Sequence, residues 1–122
     1  MNLLGDISVV ILYVQDMGAQ VAFYRDVLGF KVKSPKRKKD LSGEFWVELD
    51  AGACTLALHY GGKRRFGKDA PTPGFHVKDA VATRAKLVKR GAKVGAIREL
   101  HGMKLFDITD PEGNVLSVSS SG

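Results

Sequence analysis

The chain of 122 residues contains a single cysteine, so it cannot form an internal disulfide bond. A domain without disulfides fits a reducing compartment, and we expect the protein to be cytoplasmic. Cys54 precedes the alternating Leu56 and Leu58, which are typical of a buried strand. We therefore interpret Cys54 as a small buried side chain rather than as a nucleophile.

Long apolar runs are also missing from the sequence. No segment approaches the roughly 20 consecutive apolar residues that a membrane-spanning helix requires. The apolar segment 7–14 is too short, and it follows Asp6 instead of the basic cluster that opens a secretory signal peptide. We therefore expect no membrane partner.

Acidic residues are fewer than basic ones, 13 against 19, which gives a net charge of +6. Ten of the 19 basic residues lie in two runs, which consist of Lys31, Lys33, Lys36, Arg37, Lys38 and Lys39 and of Lys63, Arg64, Arg65 and Lys68. Such runs form either an anion-attracting surface or two solvated loops, and the second is the more common case. Phe66 is the one aromatic residue within either run, which argues against nucleic acid as a partner.

The sequence does contain a regular order of strand and helix signals. Residues 7–14 are β-branched and apolar, which predicts a strand, and Asp16 can cap a helix that ends at Gly29. Further strands are predicted at 30–33, 44–49 and 54–60, with a basic loop at 34–43.

The same order returns after a crossover at 61–73 that is rich in glycine, proline and charge. Asp79 can cap a second helix, which ends at Gly91 and has one face formed by Val81, Ala85 and Val88. Strands are predicted at 74–77, 93–98, 103–109 and 115–119.

The two halves are related by a nearly constant spacing. Asp16 and Asp79 are 63 residues apart, and Asp50 and Asp110 are 60 apart. We therefore predict an α+β fold in one domain, 1–122, with pseudo-repeats at about 5–60 and 72–120. Two βαβββ modules in tandem would form a cupped, half-open eight-stranded sheet with the helices on its outside. A homodimer is expected, because such a sheet leaves exposed edges and apolar surface.

Two motifs carry a family resemblance. The segment Phe-Tyr-Arg-Asp-Val-Leu-Gly-Phe at 23–30 resembles the helix-to-strand signature of the vicinal-oxygen-chelate superfamily, which includes glyoxalases, bleomycin-resistance proteins and extradiol dioxygenases. The segment Asp-Pro-Glu-Gly-Asn at 110–114 resembles the final turn of that fold. The order of the predicted elements matches the family over nearly the whole chain.

The resemblance implies four metal-ligand positions, two in each half, on the first and last strands. Counted from the two helix caps and from the repeat, these positions hold Val9, Ala57, Thr72 and Ser117. Metal-dependent members use imidazole, amide or carboxylate donors at these positions, and none of the four residues here has such a group. We therefore predict no metal and no cofactor, and the resemblance points to the metal-free, ligand-sequestering members.

Strand alternation predicts which side chains line the cup. The expected ligand-binding set has apolar walls, aromatic surfaces and a few polar groups, namely Tyr13, Trp46, His59, His76, Leu105 and Ser117. The same parity assigns Phe45 and Tyr60 to the core and Thr72 to the fifth strand. The aromatic pair Tyr13 and Trp46 could instead pack in a core or a dimer interface.

Four residues are candidates for acid–base chemistry: His59, His76, Glu48 and Asp107. The two histidines come from opposite halves and are predicted to face one cavity, where either carboxylate could join them in a displaced metal site. They could equally be ordinary hydrogen-bonded histidines near the surface. His101 lies in a predicted loop and receives no chemical role.

The leading functional hypothesis is a metal-free protein that binds a small organic molecule, planar and neutral or anionic, as in drug or metabolite sequestration and antibiotic resistance. The alternative is a lyase, isomerase or dioxygenase that uses the four acid–base candidates, with or without a metal. A third hypothesis is an interaction protein whose basic loops meet acidic partners. Whether any reaction is catalysed stays open at the level of sequence.

Overall fold

A computed structural model describes residues 3–62 and 70–121 of the chain. It divides into two compact units, residues 1–64 and 65–122, and each unit is described by itself. The second basic run, at 63–68, lies outside the described residues. Neither helix within the described ranges has the length and apolar character needed to cross a membrane.

The first unit has the order strand, helix and three strands. Its elements are β1 (Val9–Val14), α1 (Met17–Val21) with a π-helical continuation (Ala22–Val27), β2 (Lys31–Ser34), β3 (Trp46–Asp50) and β4 (Thr55–Tyr60). The sheet order is β1-β4-β3-β2, in which β1 and β4 run parallel and the other neighbours antiparallel.

The first helix begins and ends where the sequence predicts. The Asp16 carboxylate accepts a hydrogen bond of 3.0 Å from the backbone N–H of Ala19, which satisfies an otherwise unpaired donor of the first turn. Gly29 follows the last turn with φ of 85°, a conformation that favours glycine. The helix buries Met17, Val21 and Tyr24, and α1 contacts β4.

The second unit repeats this order. Its elements are β5 (Gly74–His76), α2 (Ala80–Lys89), β6 (Lys93–Val94), β7 (Arg98–Leu100), β8 (Met103–Thr109) and β9 (Val115–Ser121). The sheet order is β5-β9-β8-β6, with β5 parallel to β9, and β7 pairs with another part of β8. Asp79 caps α2 by accepting a hydrogen bond of 3.0 Å from the N–H of Ala82.

The predicted fold class, α+β with two βαβββ modules, is confirmed, with one difference in the strands. The predicted strand 93–98 is divided into β6 and β7, so the described residues contain nine strands in two sheets of four and five. The division falls at Gly95, where a strand is weakened because glycine has no side chain to pack. Gly95 N–H still donates to Asp107 C=O over 2.9 Å, which keeps this segment beside β8.

Alternate strand residues form the core of each unit. The buried side chains of the first unit include Val14, Val47, Leu49, Leu56 and Leu58, and those of the second include Phe106, Ile108, Leu116 and Val118. Cys54, predicted to be buried, is half-buried beside them. The alternation that the sequence predicts therefore holds on β3, β8 and β9, whereas four consecutive residues of β4, from Thr55 to Leu58, are all buried.

Two core assignments are wrong. Phe45 is 64% exposed and Tyr60 is 46% exposed, because both lie at strand ends, where their rings pack on each other at 5.8 Å. The predicted apolar face of α2 is also exposed: Val81, Ala85 and Val88. The buried face of α2 instead carries Ala80 and Leu87, since Ala80 N–H is held by the Ser120 hydroxyl of β9 at 3.1 Å.

Candidate functional site

The first sheet has one face that is partly accessible, which we call the open face. It carries every second residue of three strands: Val9, Ile11 and Tyr13 on β1, Thr55, Ala57 and His59 on β4, and Trp46 and Glu48 on β3. The intervening residues of these strands are mostly buried on the other side. Val9, Ile11 and Tyr13 present exposed apolar surface, as the strand parity predicts.

Three aromatic rings form a row across the open face. Tyr13, His59 and Trp46 are direct cross-strand neighbours on β1, β4 and β3. The ring centroids of Tyr13 and His59 are 5.0 Å apart, and those of Trp46 and His59 are 5.8 Å apart with the rings nearly perpendicular. Phe45 adds a further edge contact to His59 at 5.2 Å. Cross-strand pairing thus assembles an aromatic surface from residues far apart in sequence.

Glu48 fixes the orientation of Trp46. The indole Nε1–H donates a hydrogen bond of 2.9 Å to Glu48 Oε2, and both side chains are half-buried. The two residues are two apart on β3 and therefore lie on the same face. The carboxylate holds the indole, so Glu48 positions the aromatic surface and brings negative charge to it.

The His59 ring is oriented by a backbone carbonyl. Its Nδ1 lies 2.7 Å from the carbonyl oxygen of Tyr60. A carbonyl oxygen can only accept, so the neutral ring carries its proton on Nδ1 and keeps Nε2 as the acceptor. An imidazole held in this way can receive a hydrogen bond from a ligand or take a proton from it.

Small side chains occupy the part of the open face beside the aromatic row. Ala57 is fully buried and Thr55 nearly so. The Lys33 ammonium donates a hydrogen bond of 2.7 Å to the Thr55 hydroxyl, which brings a positive charge to this part of the face. The sequence interpretation counted Lys33 only as part of a basic run. The signal that could have found it was parity, since Lys33 alternates with the half-buried Val32 on β2 and therefore lies on the other face of the sheet.

The second unit gathers the other predicted site residues on one face of its own sheet. His76, Ser119, Leu105 and Arg98 are cross-strand neighbours in one row, and Ser117 and Asp107 lie in the next. His76 is exposed, whereas Leu105, Ser117 and Asp107 are half-buried. Arg98 pairs with the Asp107 carboxylate at 3.3 Å, so this carboxylate is already engaged by a cation.

The four acid–base candidates are thus divided between the units. Glu48 and His59 lie close together on the first sheet, and His76 and Asp107 lie on neighbouring rows of the second. That the two histidines share one cavity stays a prediction. His101 occupies the hairpin turn between β7 and β8 with φ of 51°, followed by Gly102 at 79°.

The residues at the four metal-ligand positions that the family resemblance implies do not fit a metal ion. Val9 and Ala57 end in methyl groups without a donor atom, and only hydroxyls occupy the other two positions, Thr72 and Ser117. Thr72 also lies outside the predicted strand, because β5 begins at Gly74, and its hydroxyl donates to Ala70 C=O over 3.3 Å. Within 3–62 and 70–121, no three His, Cys, Asp or Glu residues are grouped closely enough to hold a metal.

Solved structures with the same fold are numerous. A putative glyoxalase family protein from Bacillus anthracis matches with a TM-score of 0.78 and 19% identity, over 100% of this chain and 99% of that one. TnmS3, an antibiotic binding protein from Streptomyces sp. CB03234, matches at 0.75 and 18% identity, over 100% of both chains. Lactoylglutathione lyase from Agrobacterium tumefaciens matches at 0.71 and 21% identity, over 98% of this chain and 96% of that one. At these identities the likeness shows the fold.

Sequence comparison gives the family. No curated protein sequence matches the chain. The family model of the glyoxalase/bleomycin resistance protein/dioxygenase superfamily matches residues 6–118, which is nearly the whole chain and includes both units. The chain belongs to the glyoxalase/bleomycin resistance protein/dioxygenase superfamily.

Proposed function

We propose that the protein binds a small organic molecule on the open face of the first sheet, without a metal ion. The observation that carries the proposal is the row of Tyr13, His59 and Trp46 on a face where Val9 and Ile11 are exposed. Partly accessible aromatic and aliphatic side chains with a few oriented polar groups are the usual lining of a small-molecule site. The antibiotic-binding function of the structural neighbour TnmS3 supports this choice.

The ligand of this site is planar, and neutral or anionic. A planar molecule gains stacking surface from Tyr13 and Trp46. His59 Nε2 accepts a hydrogen bond from the ligand, and the Lys33 ammonium on Thr55 attracts negative charge. The Glu48 carboxylate accepts the hydrogen bond of the Trp46 indole, so its role is to position the indole. Sequestration of a drug or metabolite is the class of function that these groups support.

A second candidate function is catalysis, and one observation favours it. The hydrogen bond from His59 Nδ1 to a backbone carbonyl leaves Nε2 ready to act as a general base or acid in a lyase or isomerase reaction. The structural neighbour from Agrobacterium tumefaciens is a lyase, which supports this alternative. Stoichiometric zinc, nickel, manganese or iron in the purified protein would favour a metal-dependent enzyme over the binding protein.

The proposal includes a homodimer located in the cytoplasm. In the first sheet β1 and β2 are the edge strands, and the unpaired backbone groups of an edge strand can pair with a second copy of the chain. The single cysteine supports a reducing compartment. Light scattering at micromolar concentration tests the assembly, and a monomeric mass there would refute the dimer.

Tryptophan fluorescence tests the binding site directly, because Trp46 is the only tryptophan. A screen of planar neutral and anionic compounds is expected to find ligands that change Trp46 emission saturably. Calorimetry then compares the wild type with Trp46→Ala, which should lose about 1 kcal/mol or more of binding free energy if stacking contributes its usual share. Leu100→Ala, which shortens an exposed apolar side chain of the second unit, is the matched control. Unchanged affinity in Trp46→Ala would refute the proposed site.

A further inference from the structure

A cavity lies at the β2 edge of the first unit and shares no residue with the open face described above. It has a volume of about 490 Å³ and is bounded by the π-helical segment, β2 and the loop that follows β2. The polar residues among those that line it are all cationic, namely Arg25, Lys31, Lys36, Arg37, Lys38 and Lys39. We call it the basic pocket.

Most of this positive charge is not neutralised within the protein. Arg25 pairs with Asp26 at 2.9 Å, and Lys38 pairs with Glu44 at 2.7 Å. The other four cations of the basic pocket have no carboxylate partner among the residues that the structure describes, namely Lys31, Lys36, Arg37 and Lys39. Lys31 lies opposite Asp50 on β3 without forming an ion pair. Four cations without an ion pair around one cavity create a positive potential that a multiply charged anion would relieve.

The wall of the basic pocket is braced by the protein itself. Arg25 Nη1 donates a hydrogen bond of 3.4 Å to the carbonyl of Lys39, which ties the loop to the helical segment. The Asp40 carboxylate accepts two hydrogen bonds from Ser42, one of 2.6 Å from the hydroxyl and one of 3.0 Å from the backbone N–H. These hydrogen bonds hold the pKa of Asp40 below its ordinary value. Leu41, between Asp40 and Ser42, is buried in the core. The loop after β2 that carries most of the cations is therefore held in place by these contacts.

The floor of the basic pocket is apolar. Phe30, Val32 and Pro35 line it, and the Phe30 ring also packs against the buried Tyr24 with centroids 6.2 Å apart. An inorganic anion alone would leave this surface uncovered. The volume lies within the range of small-molecule sites, so both an anionic group and an attached apolar group can enter.

We propose that the basic pocket binds a small molecule that carries two or more phosphate groups and an apolar part, with a nucleoside diphosphate as the archetype. In a phosphate chain the terminal group carries about 1.5 to 2 negative charges near neutral pH and each inner group about one, so a chain of two or three phosphates approaches the charge of the four cations without an ion pair. Arg37 offers a planar guanidinium fork for phosphate oxygens, and the lysines supply point charges around it. The apolar part covers Phe30 and Pro35.

Calorimetric titration at low ionic strength, without divalent metal, tests the basic pocket with AMP, ADP, ATP and inorganic tripolyphosphate. ADP and ATP are expected to bind saturably and more tightly than AMP, which lacks the second phosphate. ATP is also expected to bind more tightly than tripolyphosphate, which lacks the apolar part. Affinity should fall as salt is raised, because the charges are exposed.

Paired variants separate the basic pocket from the general positive charge of the protein. Lys36→Gln with Lys39→Gln should weaken ADP binding about tenfold or more, since charge-assisted hydrogen bonds to phosphate are lost. Lys86→Gln with Lys89→Gln removes the same charge from α2, outside the pocket, and should leave ADP affinity nearly unchanged. Equal losses in both double variants, or no saturable binding of any probe, would overturn the proposal.

Two further results decide the class of ligand and the identity of the site. A short single-stranded oligonucleotide that binds more tightly than ATP, and loses affinity in the Lys36 and Lys39 double variant, would assign the surface to nucleic acid and overturn the small-molecule proposal. Trp46→Ala should retain ADP affinity, because Trp46 does not line the basic pocket. Failure of the basic pocket would therefore leave the open-face function untouched.

Discussion

Gly62 lies directly against the ring of Tyr13. A Cβ built on Gly62 would be 2.8 Å from Tyr13 Cδ1 and 3.0 Å from Cγ, closer than any ordinary carbon contact. The Gln15 side chain holds this segment in place, since its Nε2 donates to the carbonyls of Gly61 and Gly62 at 3.1 and 3.0 Å. The absence of a side chain at residue 62 thus allows the chain after β4 to support one end of the aromatic row.

Gly62→Ala should destabilise the protein and disturb Tyr13. Gly62 has φ of 76°, and Gly52→Ala is a matched control because Gly52 has φ of 85° with nothing within 4 Å of its built Cβ. Both variants should lose about 1–2 kcal/mol of unfolding free energy from the left-handed conformation. Gly62→Ala should lose about 1 kcal/mol more from overpacking. Urea denaturation measures both, and equal losses would contradict the Tyr13 contact.

Glu48→Ala should release the Trp46 indole. The variant removes the acceptor of the 2.9 Å hydrogen bond, which is worth about 1 kcal/mol, and frees the ring to take other rotamers. Lower fluorescence anisotropy and a shifted emission maximum of Trp46 are the expected signs. Glu48→Gln keeps an acceptor oxygen at the same place and should preserve the emission spectrum. Identical spectra for the alanine and glutamine variants would show that the carboxylate does not hold the ring.

The repeat predicts that Asp50 and Asp110 are equivalent, but the structure gives them unequal surroundings. Asp110 is 4% exposed and accepts from the N–H groups of Glu112 and Asn114 and from Asn114 Nδ2 at 2.8–2.9 Å. Asp50 is exposed and accepts from Gly52 N–H at 3.0 Å. The turn between β8 and β9 therefore depends on its aspartate more than the turn between β3 and β4 does.

Asp110→Ala should accordingly cost more stability than Asp50→Ala. Loss of several hydrogen bonds in a buried turn is expected to remove about 2–4 kcal/mol of unfolding free energy. Asp50→Ala should remove about 1 kcal/mol or less, because water can replace an exposed acceptor. Chemical denaturation of the two variants side by side checks this order, and a larger loss in Asp50→Ala would refute it.

The features that the sequence predicted correctly are governed by local rules. Asp16 and Asp79 were predicted as helix caps, and each accepts a 3.0 Å hydrogen bond from the N–H three residues on. The alternation of buried and accessible residues on β3, β8 and β9 follows from strand geometry alone. This parity also brought Tyr13, Trp46 and His59 to one face, which pairing then joined in a row.

The features that the sequence did not predict depend on tertiary contacts. The apolar stripe of Val81 and Val88 on α2 is exposed, because packing against β9 selects the face of Ala80 instead. Nothing local distinguishes the two faces. The hairpin between β7 and β8 was also missed, although His101 and Gly102 provide a signal: two consecutive residues with positive φ suit a two-residue turn between antiparallel strands.

The tautomer of His59 decides what this residue offers to a ligand. The 2.7 Å contact between Nδ1 and the Tyr60 carbonyl requires a proton on Nδ1, so the neutral ring must leave Nε2 without one. In the opposite tautomer the unprotonated Nδ1 would face the Tyr60 carbonyl oxygen, so two acceptors would meet and no hydrogen bond would form. Long-range ¹⁵N–¹H spectra of the imidazoles distinguish the two forms. Neutral His59 is expected as the Nδ1–H form.

His101 provides the internal control in the same spectra, because it is exposed at a hairpin turn and should show the mixture of tautomers found in water. If His59 resembles His101, or carries its proton on Nε2, the carbonyl of Tyr60 does not orient the ring. The general-base alternative then loses its structural support, since Nε2 would no longer be a free acceptor. The stacking of the ligand on Tyr13 and Trp46 would survive that outcome, because it does not use the lone pair of His59, but the proposed hydrogen bond from the ligand to Nε2 would be lost.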